Sequence, residues 1–471
     1  MHTPVVRIVG LDICDLKNVK HGLLKLEGTE PQHNASILGL YGQNGSGKTA
    51  LIDALELLRL LLTGSPVPNY FADLVYVGSR YSKIQYTFEI NGGDNEHVIF
   101  VVYEVKISQE VNEETQNVDS QPDAESNHVV VFDEVLSCVQ NIPEKRSRLH
   151  PVIDTGVDDN KVFIPVVQRD MIVGKEKSVL TDLIVAKHLT RATSRSFVFS
   201  REFLNIMRKN CANDMVRGVL ESLVTYGNRQ LFVINTTNTA LISMDALPIS
   251  FKYRDGDKEI VGSVLLKLNG ASLIPEFALD TVKKVISSMN IVLQQLVPGL
   301  IIDLMILDSQ ILKNGNKGVN IQLMAKREQK EIPLKYESEG IRKLISVLQL
   351  LIVVYNKPSI TVAIDELDSG IFEYLLGEIL RVIAEQGKGQ LIFTSHNLRP
   401  LETLDKRFIA FTTTNPENRY MRMAYVKSTN NLRNCYYHDL LLGGQSEPLY
   451  NSTNNSEIAL AFREANHASE P

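Results

Sequence analysis

The sequence predicts an α/β fold: a mixed, largely parallel sheet covered by helices, with an antiparallel β subdomain and a helical insertion. Three observations carry this. A glycine cluster joins an apolar strand, ILGLY, to the helical run TALIDALELLRLLL at 49–62. From Ile84 onward, three segments rich in β-branched and aromatic residues follow one another: IQYTFEI, HVIFVVYEVKI and HVVVFDEVLSCV. The last third alternates helix and strand at a spacing that suits βαβ units and a parallel sheet.

Each element has its own signal. Val5–Val9, Gly22–Leu26 and Ile37–Leu40 are short apolar segments between polar turns, hence strands ahead of the helix at 49–62. The segments from Ile84, His97 and His128 are β-rich and are expected to pair antiparallel. Between the last two, residues 111–127 carry Glu113, Glu114, Asp119, Asp123 and Glu125 with no basic residue, the composition of a solvated hairpin tip. LTDLIVAKHL, REFLNIMRKN and MVRGVLESLV give the region from about 180 to 230 a helical pattern without proline. ISFKYR, a turn at Asp255-Gly256 and EIVGSVLLKL follow Pro248, then an amphipathic helix over Leu279–Leu296 that stops before Pro298. LIIDLMIL and VNIQLMAK flank a turn at Asn314–Gly318. Helix Ile341–Tyr355, strand Ile360–Ile364, helix Phe372–Gln386 and strand Gln390–Thr394 complete the α/β pattern.

Bulk properties narrow the class. The chain has 471 residues, net charge −6, 44% hydrophobic and 22% charged residues, 4 Cys and no Trp. Its mean hydropathy is −0.05. These are the proportions of a soluble globular protein, not of a collagen, a disordered tail or a disulfide scaffold. Cys14, Cys138, Cys211 and Cys435 show no CxxC or Cys/His ligand spacing, which argues for a reducing compartment and against a structural zinc. The start MHTPVVRIVG lacks a basic and then apolar leader, and Leu344–Val354 is broken by Ser346 and Gln349 and too short to span a bilayer. A cytoplasmic protein without a membrane segment is expected. The acidic balance exerts no global pull on nucleic acid.

Four motifs carry chemistry. Gly42-Gln43-Asn44-Gly45-Ser46-Gly47-Lys48-Thr49 fits G-x-x-x-x-G-K-[ST] between a strand and a helix, the context that a phosphate-cradling loop requires. Glycines let backbone N–H groups wrap phosphates, the helix N-terminus adds positive potential, Lys48 reaches the β/γ oxygens and Thr49 ligates Mg²⁺. SITVAIDELDSG, 359–370, delivers Asp365 and Glu366 at the C-terminal end of an apolar strand, where ligands bind in open α/β sheets. An acid there can hold Mg²⁺, and its neighbour can polarise an attacking water. Gln390–Thr394 is a further strand running into Ser395-His396-Asn397. Glu337-Ser338-Glu339-Gly340-Ile341-Arg342-Lys343 opens a helix, with Ser338 in an N-cap position.

In this order, and with the strands LKNVKHGLLKLEG ahead of the loop, the motifs resemble the ABC-type AAA ATPases related to RecF, SMC and OLD proteins, especially the bacterial abortive-infection and phage-defence ATPases. The resemblance rests on ESEGIRKL in place of LSGGQ, IDELDSGIF in place of DEPTSALD, GQLIFTSHN, and the closing segment NLRNCYYHDLLLGGQSEPLY. It implies an ABC-type P-loop NTPase head that dimerises on ATP-Mg²⁺. Gly42, Asn44, Gly45, Ser46, Gly47, Lys48 and Thr49 would bind the nucleotide, with Thr49 and Asp365 on the metal. Glu366 would act as the base, with His396 on the γ-phosphate and Lys48 as the catalytic lysine. Ser338 and Gly340 would complete the site from a second protomer, and Asp368 would be the D-loop acid. Glu339 departs from the family pattern by replacing a small residue, and Phe372 stands where relatives often carry His. The family's Q-loop glutamine has two candidates here, Gln85 and Gln168.

The implied domains are 1–180, an N-terminal ATPase lobe with the antiparallel subdomain; 181–278, a mainly helical insertion; and 279–471, the C-terminal ATPase lobe. The implied partners are a homodimer or higher homo-oligomer through the heads and a separate effector, a nuclease or toxin. After His396 there is no Asp-x-Asp pair or acid cluster of the kind a nuclease needs, and no long coiled coil separates the halves. Lys187, Arg191, Arg195, Arg201, Arg208, Lys209, Arg217 and Arg229 outnumber Glu202, Asp214 and Glu221, a patch that could meet DNA or an acidic partner. Three alternatives stand beside the defence ATPase: a RecF-like DNA-binding repair ATPase, an interaction protein with structural ATP, and a transporter subunit, which the large middle segment disfavours.

Overall fold

The computed structural model describes residues 4–26, 36–92, 98–111, 127–141, 149–156, 160–235, 246–255, 258–312, 315–328, 330–423, 431–451 and 453–467. The acidic stretch 112–126, and parts of the turns expected at 255–256 and 314–318, lie outside them.

Strands β1 (Val5–Leu16) and β2 (Val19–Lys25) form a hairpin, followed by β3 (Ser36–Tyr41) and helix α1 (Lys48–Leu62). The antiparallel run is β4 (Ser82–Asn91), β5 (Val98–Val111), β6 (Asn127–Asn141) and β7 (His150–Asp154). Helices α2 (Val166–Val173), α3 (Lys177–Ala192), α4 (Arg201–Asn210) and α5 (Asp214–Arg229) lead to a four-residue strand, β8 (Leu231–Ile234). Next come β9 (Ala246–Asp255), β10 (Lys258–Lys267), β11 (Ala271–Pro275), α6 (Leu279–Leu296), β12 (Ile301–Ile311), β13 (Lys317–Arg327) and β14 (Lys330–Pro333). The chain closes with α7 (Glu339–Asn356), β15 (Thr361–Ile364), α8 (Glu373–Gln386), β16 (Gln390–Thr394), α9 (Pro400–Thr403), β17 (Ile409–Thr412), β18 (Tyr420–Met421), α10 (Leu432–Leu442) and α11 (Asn455–His467).

Two sheets frame α1. One runs β2-β1-β4-β5-β6-β7, antiparallel throughout. The other runs β18-β17-β3-β16-β15-β8, parallel except for β18 at its edge. Because α1 is apolar nearly all round, it cannot lie on a surface; every residue but Thr49 and Arg59 is buried. Tyr86 of β4 donates to the Ala54 carbonyl at 2.7 Å, fixing the helix on the antiparallel sheet. Both sheets share one core with α3, α4 and α5.

The sequence between 181 and 278 goes to three places. Helices α3–α5 pack into that core, and N-caps Ser200 and Asn213, accepting from Phe203 N–H and Val216 N–H at 3.2 Å, start α4 and α5. Strand β8 takes the edge of the parallel sheet beside β15. The β9–β10 hairpin joins α6 and the β11-β13-β12 sheet in a separate core. On α6 the buried stripe is Val282, Ile286, Met289 and Leu293, the spacing of one helical face. Among the described residues no helix is long and apolar enough to cross a membrane.

Candidate functional site

The parallel sheet brings three distant segments to one edge. β3 ends at Tyr41, β15 at Ile364 and β16 at Thr394, and the register Gly39↔Phe393 and Ile364↔Phe393 sets their C-terminal ends side by side. The Gly42–Thr49 loop, Asp365-Glu366 and His396 therefore meet around one cavity of about 550 Å³. Asn44, Gly45, Gly47, Lys48, Thr49, Asp365, Glu366 and His396 line it, together with Lys17, Asn18 and Ala50.

The loop has a conformation that its glycines make possible. Gly42, Gly45 and Gly47 have φ of 153°, 74° and 94°, which L side chains rarely adopt. A Cβ on Gly42 would sit 1.7 Å from Thr412 Oγ1, and one on Gly47 2.8 Å from Val19. Gly42 and Ser46 stand behind the cavity wall: Ser46 is buried, donates to the Gln43 carbonyl at 2.6 Å and touches the Thr412 hydroxyl. Lys48 donates to the Gly42 and Gln43 carbonyls, both at 2.9 Å. Burial lowers its pKa, against the opposing pull of Asp365, Glu366 and Asp368.

Asp365 and Glu366 are positioned by Thr394. Its hydroxyl donates to Asp365 Oδ1 at 2.6 Å and accepts from Glu366 N–H at 2.8 Å. Asp365 is 1% exposed, and its backbone N–H reaches the Ile234 carbonyl of β8 at 2.9 Å. Glu366 has φ of 46°, a left-handed turn uncommon for a non-glycine residue, of the kind that concentrates at functional sites. Asp368 accepts from His396 N–H at 3.0 Å and Asn397 N–H at 2.9 Å, so it braces the backbone that carries the histidine rather than lining the cavity.

Ser338 and Gly340 stand apart from this cavity. Ser338 caps α7, accepting from Ile341 N–H at 3.4 Å. Gly340 packs against the loop after Asp368 so closely that a Cβ on it would lie 2.0 Å from the Gly370 carbonyl oxygen. Glu339 is the first residue of α7, and Phe372 is the exposed N-cap of α8. Gln85, on β4 opposite Asp12, and Gln168, on α2, are not among the cavity residues. The basic patch is partly consumed internally. Lys187 donates to the Thr155 and Lys161 carbonyls, Arg208 makes a two-point pair with Glu221, and Arg217 pairs with Asp214 and the Cys211 carbonyl.

Sequence reasoning missed five residues in and around the cavity. Lys17 and Asn18, in the β1–β2 turn, reach the cavity: Lys17 pairs with buried Asp53 of α1, and Asn18 donates to the Gly45 carbonyl. Arg419 holds the same turn through the Asn18 carbonyl at 2.5 Å and the Thr413 carbonyl at 2.7 Å, while Tyr420 donates to the Gly47 carbonyl at 2.9 Å. Lys343, one turn into α7 and 4% exposed, lies within electrostatic reach of Asp368, Glu366 and Asp365; burial nevertheless pushes its pKa down to about 8. Only the polar turn between two apolar strands hinted at the first of these.

No family model and no curated protein matches the chain. Solved structures do. An SMC head bound to the C-winged helix domain of ScpA aligns at 14% identity over 89% of this chain and 98% of that one, with a TM-score of 0.40. The SMC head domain from Thermotoga maritima aligns at 14% identity over 89% and 99%, with a TM-score of 0.35. The recombination mediator RecF with ATP aligns at 12% identity over 89% and 100%, with a TM-score of 0.36. At these identities and scores the likeness stops short of function.

Proposed function

We propose that the chain is an ABC-type ATPase that binds and hydrolyses ATP-Mg²⁺. The observation that carries this is the convergence of Lys48, Thr49, Asp365, Glu366 and His396 on one cavity whose floor is the Gly42–Thr49 loop. The donor chemistry fits the ligand. Thr49 and Asp365 offer the hard oxygens that Mg²⁺ takes, and the left-handed glycines free backbone N–H groups for phosphate. The metal would supply charge neutralisation at the β/γ oxygens. Lys48 exchanges its two carbonyl partners for phosphate oxygens. Glu366 accepts the proton of the attacking water, and His396 orients at the terminal phosphate.

Turnover depends on a second copy in this proposal, because Ser338 and Gly340 lie outside the chain's own cavity and are assigned to the partner's nucleotide. The biological role proposed with it rests on the resemblance carried by ESEGIRKL, IDELDSGIF and GQLIFTSHN: a sensor or scaffold of a bacterial antiphage system that controls a separately encoded effector. The division at 180 and 278 goes with it, the exposed faces of the 181–278 segment being a surface for a partner or DNA.

The test is direct. Lys48→Ala abolishes nucleotide binding, whereas Glu366→Gln keeps binding and drops kcat by at least about 100-fold, the scale of a lost general base. Hydrolysis by Glu366→Gln at the parent rate would exclude Glu366 as the base. A repair role in place of the defence role predicts tight DNA binding whose log affinity falls by about 0.9 per phosphate contact with log salt.

A further inference from the structure

The β1–β2 hairpin holds a cluster that the nucleotide site does not use. Asp12 and Cys14 are two residues apart on β1 and share its outer face; His21 of β2 stands directly across from Cys14 in the antiparallel register. The sulfur, a ring nitrogen and a carboxylate oxygen all lie within 4.8 Å of one another. His21 Nε2 is 3.1 Å from Asp12 Oδ1, the spacing of two ligands on one ion. That Asp12 oxygen is shielded from solvent and, beyond the His21 ring, has no hydrogen-bond partner among the described residues. The neighbouring cation on the same face, Lys83, is neutralised by Glu104 at 2.8 Å. All three ligand residues are partly exposed, which leaves an entry path and an open coordination position.

We propose that Asp12, Cys14 and His21 form a binding site for a borderline divalent transition metal of the Zn²⁺ class, which clamps β1 to β2 behind the turn that lines the nucleotide cavity. Thiolate, imidazole and carboxylate together are the donor set that selects such an ion over Mg²⁺ or Ca²⁺. On binding, the sulfur–metal bond forms and the Cys14 proton leaves to solvent; nothing is oxidised. The clamp acts on the turn through contacts already formed. The His21 carbonyl accepts from Arg419 N–H at 3.0 Å, the Arg419 guanidinium holds the Asn18 carbonyl, and Asn18 in turn holds Gly45. The effect on nucleotide rests on the ATPase proposal, but the metal site does not.

The experiment uses the full-length protein, reduced and stripped by a chelator, titrated with Co²⁺ and with Zn²⁺ against a chromophoric competitor. The wild type takes up the ion at one site and shows a thiolate-to-cobalt charge-transfer band. Cys14→Ser and His21→Ala weaken binding by more than the roughly 10–100-fold that loss of a mere supporting partner costs, and Cys14→Ser removes the band. Cys435→Ser leaves both unchanged. Lys48→Ala, which tests the nucleotide reading, also keeps the band, so the two proposals fail separately. A wild type without the band, or a band that survives in Cys14→Ser, overturns the site. Unchanged far-UV dichroism of Cys14→Ser, whose hydroxyl replaces a partly exposed thiol, separates lost ligation from lost fold.

Discussion

At the scale of single residues, the parts of the site that a motif names and the parts that hold them obey different rules. Lys48, Thr49, Asp365 and Glu366, which the structure brings to one cavity, were legible because the phosphate and Mg²⁺ chemistry proposed for it calls for those types at those places along the chain. Thr394, whose one hydroxyl holds the Asp365 carboxylate and the Glu366 backbone N–H, was not, since a threonine at a strand end has no sequence signature. Thr394→Val should keep the strand and weaken Mg²⁺-dependent hydrolysis by about 10-fold or more with nucleotide binding nearly unchanged, read as a kcat-against-KM split. Glu134 is the structural counterpart. It is buried in the antiparallel sheet and accepts from the Tyr103 hydroxyl and Phe197 N–H at 2.6 Å, the Ser196 hydroxyl at 2.5 Å and Val198 N–H at 3.4 Å. Burial raises its pKa, yet every partner is a donor, which the two oxygens of a carboxyl satisfy better than an amide. Glu134→Gln turns an NH₂ toward these donors and should cost about 2–3 kcal/mol, measured as a lower denaturation midpoint, with nucleotide affinity unaffected.

At the scale of elements, periodicity read the long pieces and missed the short ones. Helix α6 runs over Leu279–Leu296 as its stripe and the proline after it dictate, and β4–β6 pair antiparallel as their composition predicts. Strand β8 escaped because four apolar residues directly after a helix carry no period, and only its pairing with β15 makes it a strand. Helix packing also turns on positions that periodicity does not reveal. Gly227 on α5 meets α1 at Leu62, where a Cβ would come within 2.5 Å of the Leu62 Cβ. Gly227→Ala should therefore cost about 1–3 kcal/mol by forcing the two helices apart, despite alanine's better helix propensity. A thermal midpoint equal to the parent's would mean the helices separate freely.

At the scale of the whole molecule, the proposed two-copy site turns on where helix α7 places its N-terminal residues. Ser338 caps α7 and Gly340 lies against Gly370, neither lining the cavity, while buried Lys343 on the same helix feels the charge of Asp368, Glu366 and Asp365. Glu366→Gln should shift to a higher native mass with ATP-Mg²⁺, and adding Ser338→Arg, which puts a long cation at the cap, should return it to the mass seen without nucleotide. A mass indifferent to ATP in Glu366→Gln would remove the two-copy site from the proposal.

The sequence by itself determined the α/β class, the order of the long elements and the glycine-rich loop after β3, because hydrophobic period and the steric demands of a glycine turn are local quantities. It also named Asp365, Glu366 and His396 as strand-end residues. Tertiary structure alone decided which strand ends are neighbours, through the register of β3, β16, β15 and β8. It alone put Lys17 and Asn18 over the loop and set His21 across from Cys14. The reason is the same in each case: cross-strand register joins residues through hydrogen bonds whose partners are far apart or face each other across a turn, and no local pattern encodes which side chains will then share a face.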